Sequence, residues 1–221
     1  MKKFLLCVYA LALFNLTLWA QNGSGPRMIH SKEKSAIHVP PQEIEAGLKT
    51  IYSNLGPSKI DLYNSLQEWG IVGPANNGGY AEFIAMPFIP KTNSHVSQVR
   101  VPLKYQSGDN QVNLNIYGDS GGVPGTLLAG PVTVTNLPEH ATCCTLAVAT
   151  FTPIAVTGGT RYWIVANTPL TGTGSDFQGG WSMVVKPDLP MAFMSSPVDQ
   201  EIWFGVNAAE LAAGEVLGTI P

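Results

Sequence analysis

The sequence predicts an all-β fold, an antiparallel two-sheet sandwich of jelly-roll type that follows a signal peptide and a flexible leader. Short apolar runs alternate with turn residues at the spacing of about 8 to 12 residues that is typical of sandwiches. Charged residues make up only 12% of the chain, while 23 glycines and 17 prolines supply turns, and helices usually carry more charge on their wet face. No strand-like run is followed by an amphipathic helix of the length that a βαβ unit requires, which disfavours a parallel α/β sheet.

Residues 1–20 have the features of a secretory signal peptide. Lys2 and Lys3 precede an apolar run from Phe4 to Leu18, and the small residue Ala20 stands at the expected cleavage position. No later run reaches the roughly eighteen apolar residues that are needed to cross a bilayer. We therefore expect a secreted or periplasmic protein without a membrane span.

The charge of the exported form excludes one class of partner. The whole chain has 12 basic and 15 acidic side chains, and removal of residues 1–20 takes away two of the lysines, so the exported form has a net charge of −5. A mildly acidic chain lacks the basic surface that nucleic acids require, and no nucleic-acid partner is expected.

The exported chain divides into a leader and one domain. Residues 21–47 are polar, have no sustained apolar period and are interrupted by Gly25-Pro26 and Pro40-Pro41, which predicts a flexible leader. Residues 48–221 form the predicted β-sandwich domain, because a chain of about this length commonly folds around one core.

The clearest strand pattern lies between Val99 and Tyr105. Apolar side chains there alternate with Arg100, Pro102 and Lys104, which indicates one buried and one wet face. Residues 112–116 alternate in the same way after a turn at residues 107–110, so the two segments predict a β-hairpin. Pro102 has no amide hydrogen to donate, which places its strand at an edge or a bulge.

Residues 162–166 are apolar on both faces, which predicts a strand that is covered on both sides. Further strands are predicted at residues 81–88, 132–135, 144–150, 161–167, 181–185, 201–204 and 215–220.

The segment Gly118-Asp119-Ser120-Gly121-Gly122 reproduces the run around the nucleophile of chymotrypsin-like serine proteases. That chemistry needs a histidine base held by a buried aspartate. None of the four histidines, His30, His38, His95 and His140, stands in the sequence context of that family. The glycines and Pro124 favour a turn between two strands instead, so the sequence predicts no catalytic residues and no enzyme. A hydrolase that uses Ser120 is the remote alternative.

Cys143 and Cys144 are adjacent and are the only cysteines outside the signal peptide. We favour a structural vicinal disulfide in an oxidising compartment, with two reduced thiols and a redox switch as alternatives. In a regular strand the two side chains would point in opposite directions and chelate poorly, so a metal site with His140 is not expected. The scattered aspartates suit turns better than a calcium cage, and no cofactor or metal is predicted.

Aromatic residues next to long loops are the candidate ligand-binding residues. Trp163 is assigned to the core, whereas Trp181 follows the glycine-rich loop 171–180 and Trp69 precedes the loop 70–80. An exposed ring can stack on a sugar while nearby polar side chains bond its hydroxyls. The candidate set is Trp69, Asn77, Tyr80, Asp176 and Trp181. The alternative is that both loops are plain connections.

The chain resembles the exported bacterial β-sandwich domains of the choice-of-anchor type in three segments, residues 112–129 (VNLNIYGDSGGVPGTLLA), 143–146 (CCTL) and 159–166 (GTRYWIVA). Residues 52–56 (YSNLG) and 213–219 (AGEVLGT) are similar to the edges of that family. The resemblance implies a jelly-roll-like sandwich in which the protease-like segment is a hairpin turn, and it implies no catalytic residues. Members often end in a sorting or anchoring segment, and Ile220-Pro221 is not one, which favours a freely secreted or periplasmic product.

The sequence leaves three hypotheses for the function of the protein. The leading hypothesis is a non-catalytic module that recognises a glycan or another surface polymer through its end loops. The second is a structural or self-assembling extracellular protein, since a weakly charged surface and strand edges favour pairing between chains. The third is the hydrolase that uses Ser120.

Overall fold

Two antiparallel β-sheets and a shared apolar core make up the part of the chain that the structure describes. The computed structural model describes residues 26–30, 43–56, 62–140, 142–185, 191–197, 201–206 and 210–221. The predicted signal peptide, residues 1–20, lies outside these ranges. The described chain forms one turn of 3₁₀ helix, Pro74–Asn76, and the strands β1 (Met28–His30), β2 (Lys49–Ser53), β3 (Asn64–Val72), β4 (Tyr80–Phe88), β5 (Ser94–Val101), β6 (Leu103–Ser107), β7 (Gln111–Ser120), β8 (Val123–Thr135), β9 (Ala147–Val156), β10 (Tyr162–Asn167), β11 (Gln178–Val185), β12 (Met191–Pro197), β13 (Trp203–Val206), β14 (Glu210–Ala212) and β15 (Glu215–Thr219).

The strands form a large and a small sheet. The large sheet has the order β14-β11-β3-β4-β10-β7-β8, with β1 paired to β3, β6 to β11, and β12 to both β4 and β13. The small sheet has the order β2-β15-β5-β9. All pairings between these strands are antiparallel, and side chains from both sheets, such as Phe88 and Val99, meet in one buried cluster. The predicted all-β antiparallel sandwich is therefore confirmed.

The strand β10 is covered on both faces, as its sequence predicts. It lies between β4 and β7, and residues 162–166 are all buried. Successive side chains of a strand point to opposite faces. Ile164 accordingly lies in the core between the sheets, whereas Trp163 and Val165 pack against Ala192 of β12 on the other face. The β12–β13 pair thus covers the face of β10 that would otherwise be wet.

The hairpin predicted from residues 99–105 and 112–116 is wrong. β5 ends one residue before Pro102 and β6 begins one residue after it. β5 belongs to the small sheet, whereas β6 pairs with β11 of the large sheet and β7 pairs with β8 and β10. Because Pro102 has no amide hydrogen, it interrupts the ladder at the point where the chain crosses from one sheet to the other.

The wet face predicted for this segment is also wrong, because Arg100 is only 3% exposed and Lys104 is fully buried. Arg100 lies directly opposite Glu215 of β15, and its guanidinium contacts that carboxylate at 3.1 Å. Burial raises the pKa of Glu215, and the charge of Arg100 acts in the opposite direction. Charged side chains that alternate with apolar ones normally indicate a wet face, but a partner of opposite charge on a neighbouring strand allows them to be buried.

The leader predicted for residues 21–47 contains a strand. Met28–His30 forms β1 and pairs with residues 67–69 of β3. Residues 31–42 of the same leader lie outside the described residues. The first strand of the small sheet, β2, begins at Lys49, next to the domain boundary predicted at residue 48. In the described ranges there is no helix of the length and hydropathy that a transmembrane span requires.

Candidate functional site

The protease-like segment is the turn between β7 and β8. Ser120 pairs with Val123, so Gly121 and Gly122 alone connect the two strands. Both glycines have positive φ, 64° and 92°, which is the backbone that a two-residue hairpin turn requires and that other residues rarely adopt. The predicted turn is confirmed, and it is tighter than the sequence indicated.

The residues beside Ser120 have structural partners. Asp119 accepts a hydrogen bond from Trp163 Nε1 at 2.8 Å and another from the amide of Gly122 at 3.2 Å. Ser120 itself is exposed on the turn. His140 contacts Glu68 instead, at 2.7 Å. His30 lies on β1 opposite Gln67, and His95 lies on β5 opposite Ala155. None of these three described histidines is hydrogen-bonded to the Ser120 hydroxyl, and His38 lies outside the described residues.

The tryptophans predicted to form a surface platform, Trp69 and Trp181, are buried. Trp69 is 5% exposed and Trp181 is not exposed at all. The two residues lie opposite each other on β3 and β11, and Trp181 Nε1 donates to the carbonyl of Ala213 at 2.6 Å. The prediction of exposure was wrong because Trp181 points to the face of β11 that packs into the core shared by the two sheets.

The two loops chosen from the sequence lie against each other. The amide of Ala75 donates to the carbonyl of Ser175 at 3.0 Å, and the side-chain amide of Asn76 donates to the carbonyl of Asp176. The carboxylate of Asp176 accepts from the amide of Asp109 at 2.9 Å. Asp176 thus links both loops to the turn at Asp109, whereas the side chain of the other polar candidate, Asn77, bonds Glu82.

Asn77 and Tyr80 lie beside a group of charged residues around Glu82. Glu82 Oε1 accepts from Arg27 and from the side-chain amide of Asn77, each at 3.2 Å. Tyr80 is two residues before Glu82 on β4, so both side chains project from the same face of the strand. Tyr80 is 47% exposed, so it is the candidate aromatic residue that the structure places on the surface.

A cavity of about 140 Å³ opens next to this group. Its walls are residues 26–27, Gly70 of β3, residues 82–84 of β4 and residues 193–195 of β12. The second carboxylate oxygen of Glu82, Oε2, is buried and has no hydrogen-bond donor among the described residues. We refer to Arg27, Asn77, Tyr80, Glu82 and this cavity as the Glu82 site.

A second polar group lies inside the protein and was not predicted from the sequence. It consists of Lys104, Tyr63, Glu68 and His140, and we call it the Lys104 network. Lys104 Nζ donates to Tyr63 Oη at 3.0 Å, and Tyr63 Oη donates to the carbonyl of Thr145 at 3.2 Å. Glu68, which contacts His140, is 1% exposed. Burial lowers the pKa of Lys104 to about 8, and the charge of Glu68 acts in the opposite direction. Burial, assisted by the charge of Glu68, raises the pKa of Tyr63.

The disulfide between Cys143 and Cys144 adjoins the Lys104 network. The bond joins the two neighbouring residues across a cis peptide in the loop before β9. Both cysteines are buried in a small cluster with Tyr63 and Leu146. The network and the disulfide therefore hold the same loop, residues 142–146, against the start of β3.

The Lys104 network is poorly placed for chemistry on a dissolved substrate. Lys104 and Glu68 are buried, and His140 is the member of the network that contacts solvent, with 23% of its side chain exposed. In the described ranges, no three His, Cys, Asp or Glu side chains converge as a metal site would require. We therefore regard the network as a structural element and the Glu82 site as the candidate functional site.

Comparisons with known proteins do not identify the chain. No protein-family model matches it, and no curated protein matches it at a significant level.

Proposed function

We propose that this protein is an exported, non-catalytic β-sandwich module of the choice-of-anchor type that binds a glycan or another hydroxyl-rich surface polymer at the Glu82 site. The observation that supports this proposal most directly is the buried Oε2 of Glu82, an acceptor without a donor in the part of the chain that the structure describes. A buried acceptor left unpaired costs about 1–3 kcal/mol. Glu82 lines the cavity, so a ligand hydroxyl that enters it and displaces the groups covering Oε2 would supply the missing donor.

The other residues of the site suit a sugar as well. The exposed ring of Tyr80 offers an apolar face on which a pyranose ring can stack. Arg27 and Asn77 provide donors within hydrogen-bond distance of Glu82. A cavity of about 140 Å³ is smaller than the roughly 300–1,000 Å³ of pockets that enclose a whole small molecule, so we expect it to hold one end group or side group of a polymer.

The disulfide supports export. Disulfides persist in oxidising compartments and are rare in the cytosol, and Cys143 and Cys144 are joined in this structure. This agrees with a location outside the cytoplasm, secreted or periplasmic, which we infer from the signal-peptide pattern of residues 1–20.

A glycan array and pull-downs on insoluble polysaccharides test the proposed binding. We expect at least one polymer to bind the wild-type protein and to bind Tyr80→Ala about tenfold or more weakly, since tenfold corresponds to about 1.4 kcal/mol. Tyr80→Phe keeps the ring and should retain binding. Leu127→Ala, which removes a side chain of similar exposure, 44% against 47%, is the matched control. If no polymer binds, or if Tyr80→Ala and Leu127→Ala behave alike, the proposal is wrong.

A further inference from the structure

The strand β1 comes from the N-terminal segment and lies along the edge of β3. Met28, Ile29 and His30 pair with residues 69, 68 and 67, and the carbonyl of Arg27 accepts from the amide of Gly70 at 2.7 Å. Opposite Gly70 the two backbones approach closely, because a Cβ added there would lie 3.2 Å from both the Cβ and the carbonyl oxygen of Arg27. The edge of β3 is therefore shaped for an extended segment that passes Gly70 at short range.

Few contacts hold β1 in place. It has three residues, of which Met28 is 41% exposed, His30 is exposed and Ile29 is partly buried. The Arg27–Glu82 ion pair spans 3.2 Å, but the Arg27 side chain is 45% exposed, and exposed ion pairs contribute little. A strand that buries so little apolar surface is expected to open locally far more often than the rest of the sheet.

The edge of β3 is buried while β1 covers it. Glu68 is 1% exposed, Trp69 is 5% exposed and Gly70 is buried with β1 in place. If β1 left, the amide of Gly70 would lose its bond to the carbonyl of Arg27, and the backbone groups of residues 67–69 that pair with β1 would be unpaired along an open strand edge. The donor strand is thus held loosely, while the acceptor edge offers unpaired backbone groups to another strand.

We propose that the edge of β3 is a strand-acceptor site, and that residues 26–30 of a second copy of this chain occupy it in exchange for the copy's own segment. The contacts would be identical in both arrangements: the β1–β3 ladder, the Arg27 carbonyl on Gly70, and the Arg27 guanidinium on Glu82 and Asn77. This proposal does not depend on polymer binding.

The protein concentration decides whether β1 pairs within its own chain or is exchanged with a second copy, because the contacts are the same in both arrangements. Residues 31–48 connect β1 to β2, and eighteen residues reach at most about 60 Å, which is enough to bridge to a neighbouring copy. A tethered segment competes at an effective concentration of about millimolar. Exchange is therefore expected at protein concentrations near this value, or where copies are crowded at a surface.

Cross-linking between positions 30 and 67 tests the exchange, because these two residues are direct cross-strand partners. Such partners have Cα atoms about 4.5–5.5 Å apart, within the range of a disulfide. The ¹⁵N-labelled His30→Cys protein is mixed with the unlabelled Gln67→Cys protein at about 10 μM and about 1 mM under mild oxidation. Non-reducing electrophoresis and mass mapping then identify the bridge. The His30→Cys/Gln67→Cys double variant reports the pairing within one chain.

We expect the double variant to form an internal bridge at about 10 μM, and the mixture to form a mixed dimer whose yield rises at least about tenfold at the higher concentration. Adding Arg27→Glu to the His30→Cys chain should lower that yield, because the new carboxylate would repel Glu82. His95→Cys, exposed on β5, replaces His30→Cys as the control for random collision. A mixture that bridges no more than this control, or a double variant without an internal bridge, would overturn the proposal.

Discussion

Raising the pH from about 7 to about 9.5 should stabilise the folded protein, and Lys104 should be the cause. Its ammonium group is fully buried, and burial lowers its pKa from 10.5 to about 8 against the opposing effect of Glu68. The folded chain therefore releases this proton from about pH 8 upward, whereas the unfolded chain keeps it until about pH 10.5. Between the two values the unfolded state binds more protons, so the free energy of unfolding rises with pH.

The lowered pKa of Lys104 determines how much the free energy of unfolding rises. At about 1.4 kcal/mol for each pH unit, the interval from 8 to 10.5 corresponds to about 3 kcal/mol, of which about 2 kcal/mol is gained by pH 9.5. Tyrosine ionisation sets the upper limit of the pH range in which stability rises. Burial and the charge of Glu68 raise the pKa of Tyr63, so above about pH 10 the unfolded state loses a proton that the folded state keeps, and stability falls again.

Urea unfolding at several pH values between about 7 and 9.5 measures this gain. Lys104→Met removes the titrating group and fills a similar volume, so its free energy of unfolding should lack the rise of about 2 kcal/mol. Lys91→Met, at an exposed position, should retain the rise. Parallel profiles for the wild-type and Lys104→Met proteins would show that Lys104 is not a buried ammonium with a lowered pKa, and would refute the reasoning.

Two further predictions concern residues that the sequence singled out. Trp181→Phe should lower the free energy of unfolding by about 1–2 kcal/mol in urea titrations, because it leaves the buried carbonyl of Ala213 without its donor. The control Trp203→Phe loses a bond to Glu201 at an exposed site and should lower the free energy of unfolding by less than about 0.5 kcal/mol. Equal losses in the two variants would contradict the buried bond. Ser120→Ala should change neither stability nor labelling by a fluorophosphonate probe, since neither protein should react; labelling that disappears in Ser120→Ala would reveal a catalytic serine.

The features that could be predicted from the sequence depend on residues close together in the chain. The paired glycines at 121 and 122 predicted a turn because few other residues tolerate positive φ, and the turn is where they place it. The unbroken apolar run of β10 predicted a strand covered on both faces, which holds for residues 162–166. The predicted strand segments each overlap an observed strand for the same reason.

The features that could not be predicted depend on distant partners. β6 pairs with β11, whose residues lie more than seventy positions further along the chain, and no local pattern indicates this choice. The exposure of Trp181 was mispredicted for the same reason: the residue follows a loop, but its ring packs in a core built from distant parts of the chain. At the Glu82 site, Arg27 comes from a segment assigned to the leader, so its contact with Glu82 gave no signal in either local sequence.

The buried charges explain how a chain with so many similar strands selects one arrangement. Shifting a strand by one residue turns each side chain to the other face, and apolar residues alone tolerate shifts of two. Arg100 lies directly opposite Glu215 and contacts it, so a shift of two would separate two buried charges, at a cost of several kcal/mol. Lys104 adds a second condition, since its ammonium donates to Tyr63, just before β3, and feels the charge of Glu68 within β3. We infer that these few charges, 12% of the residues and partly withdrawn from the surface, fix which strands pair and leave a weakly charged exterior.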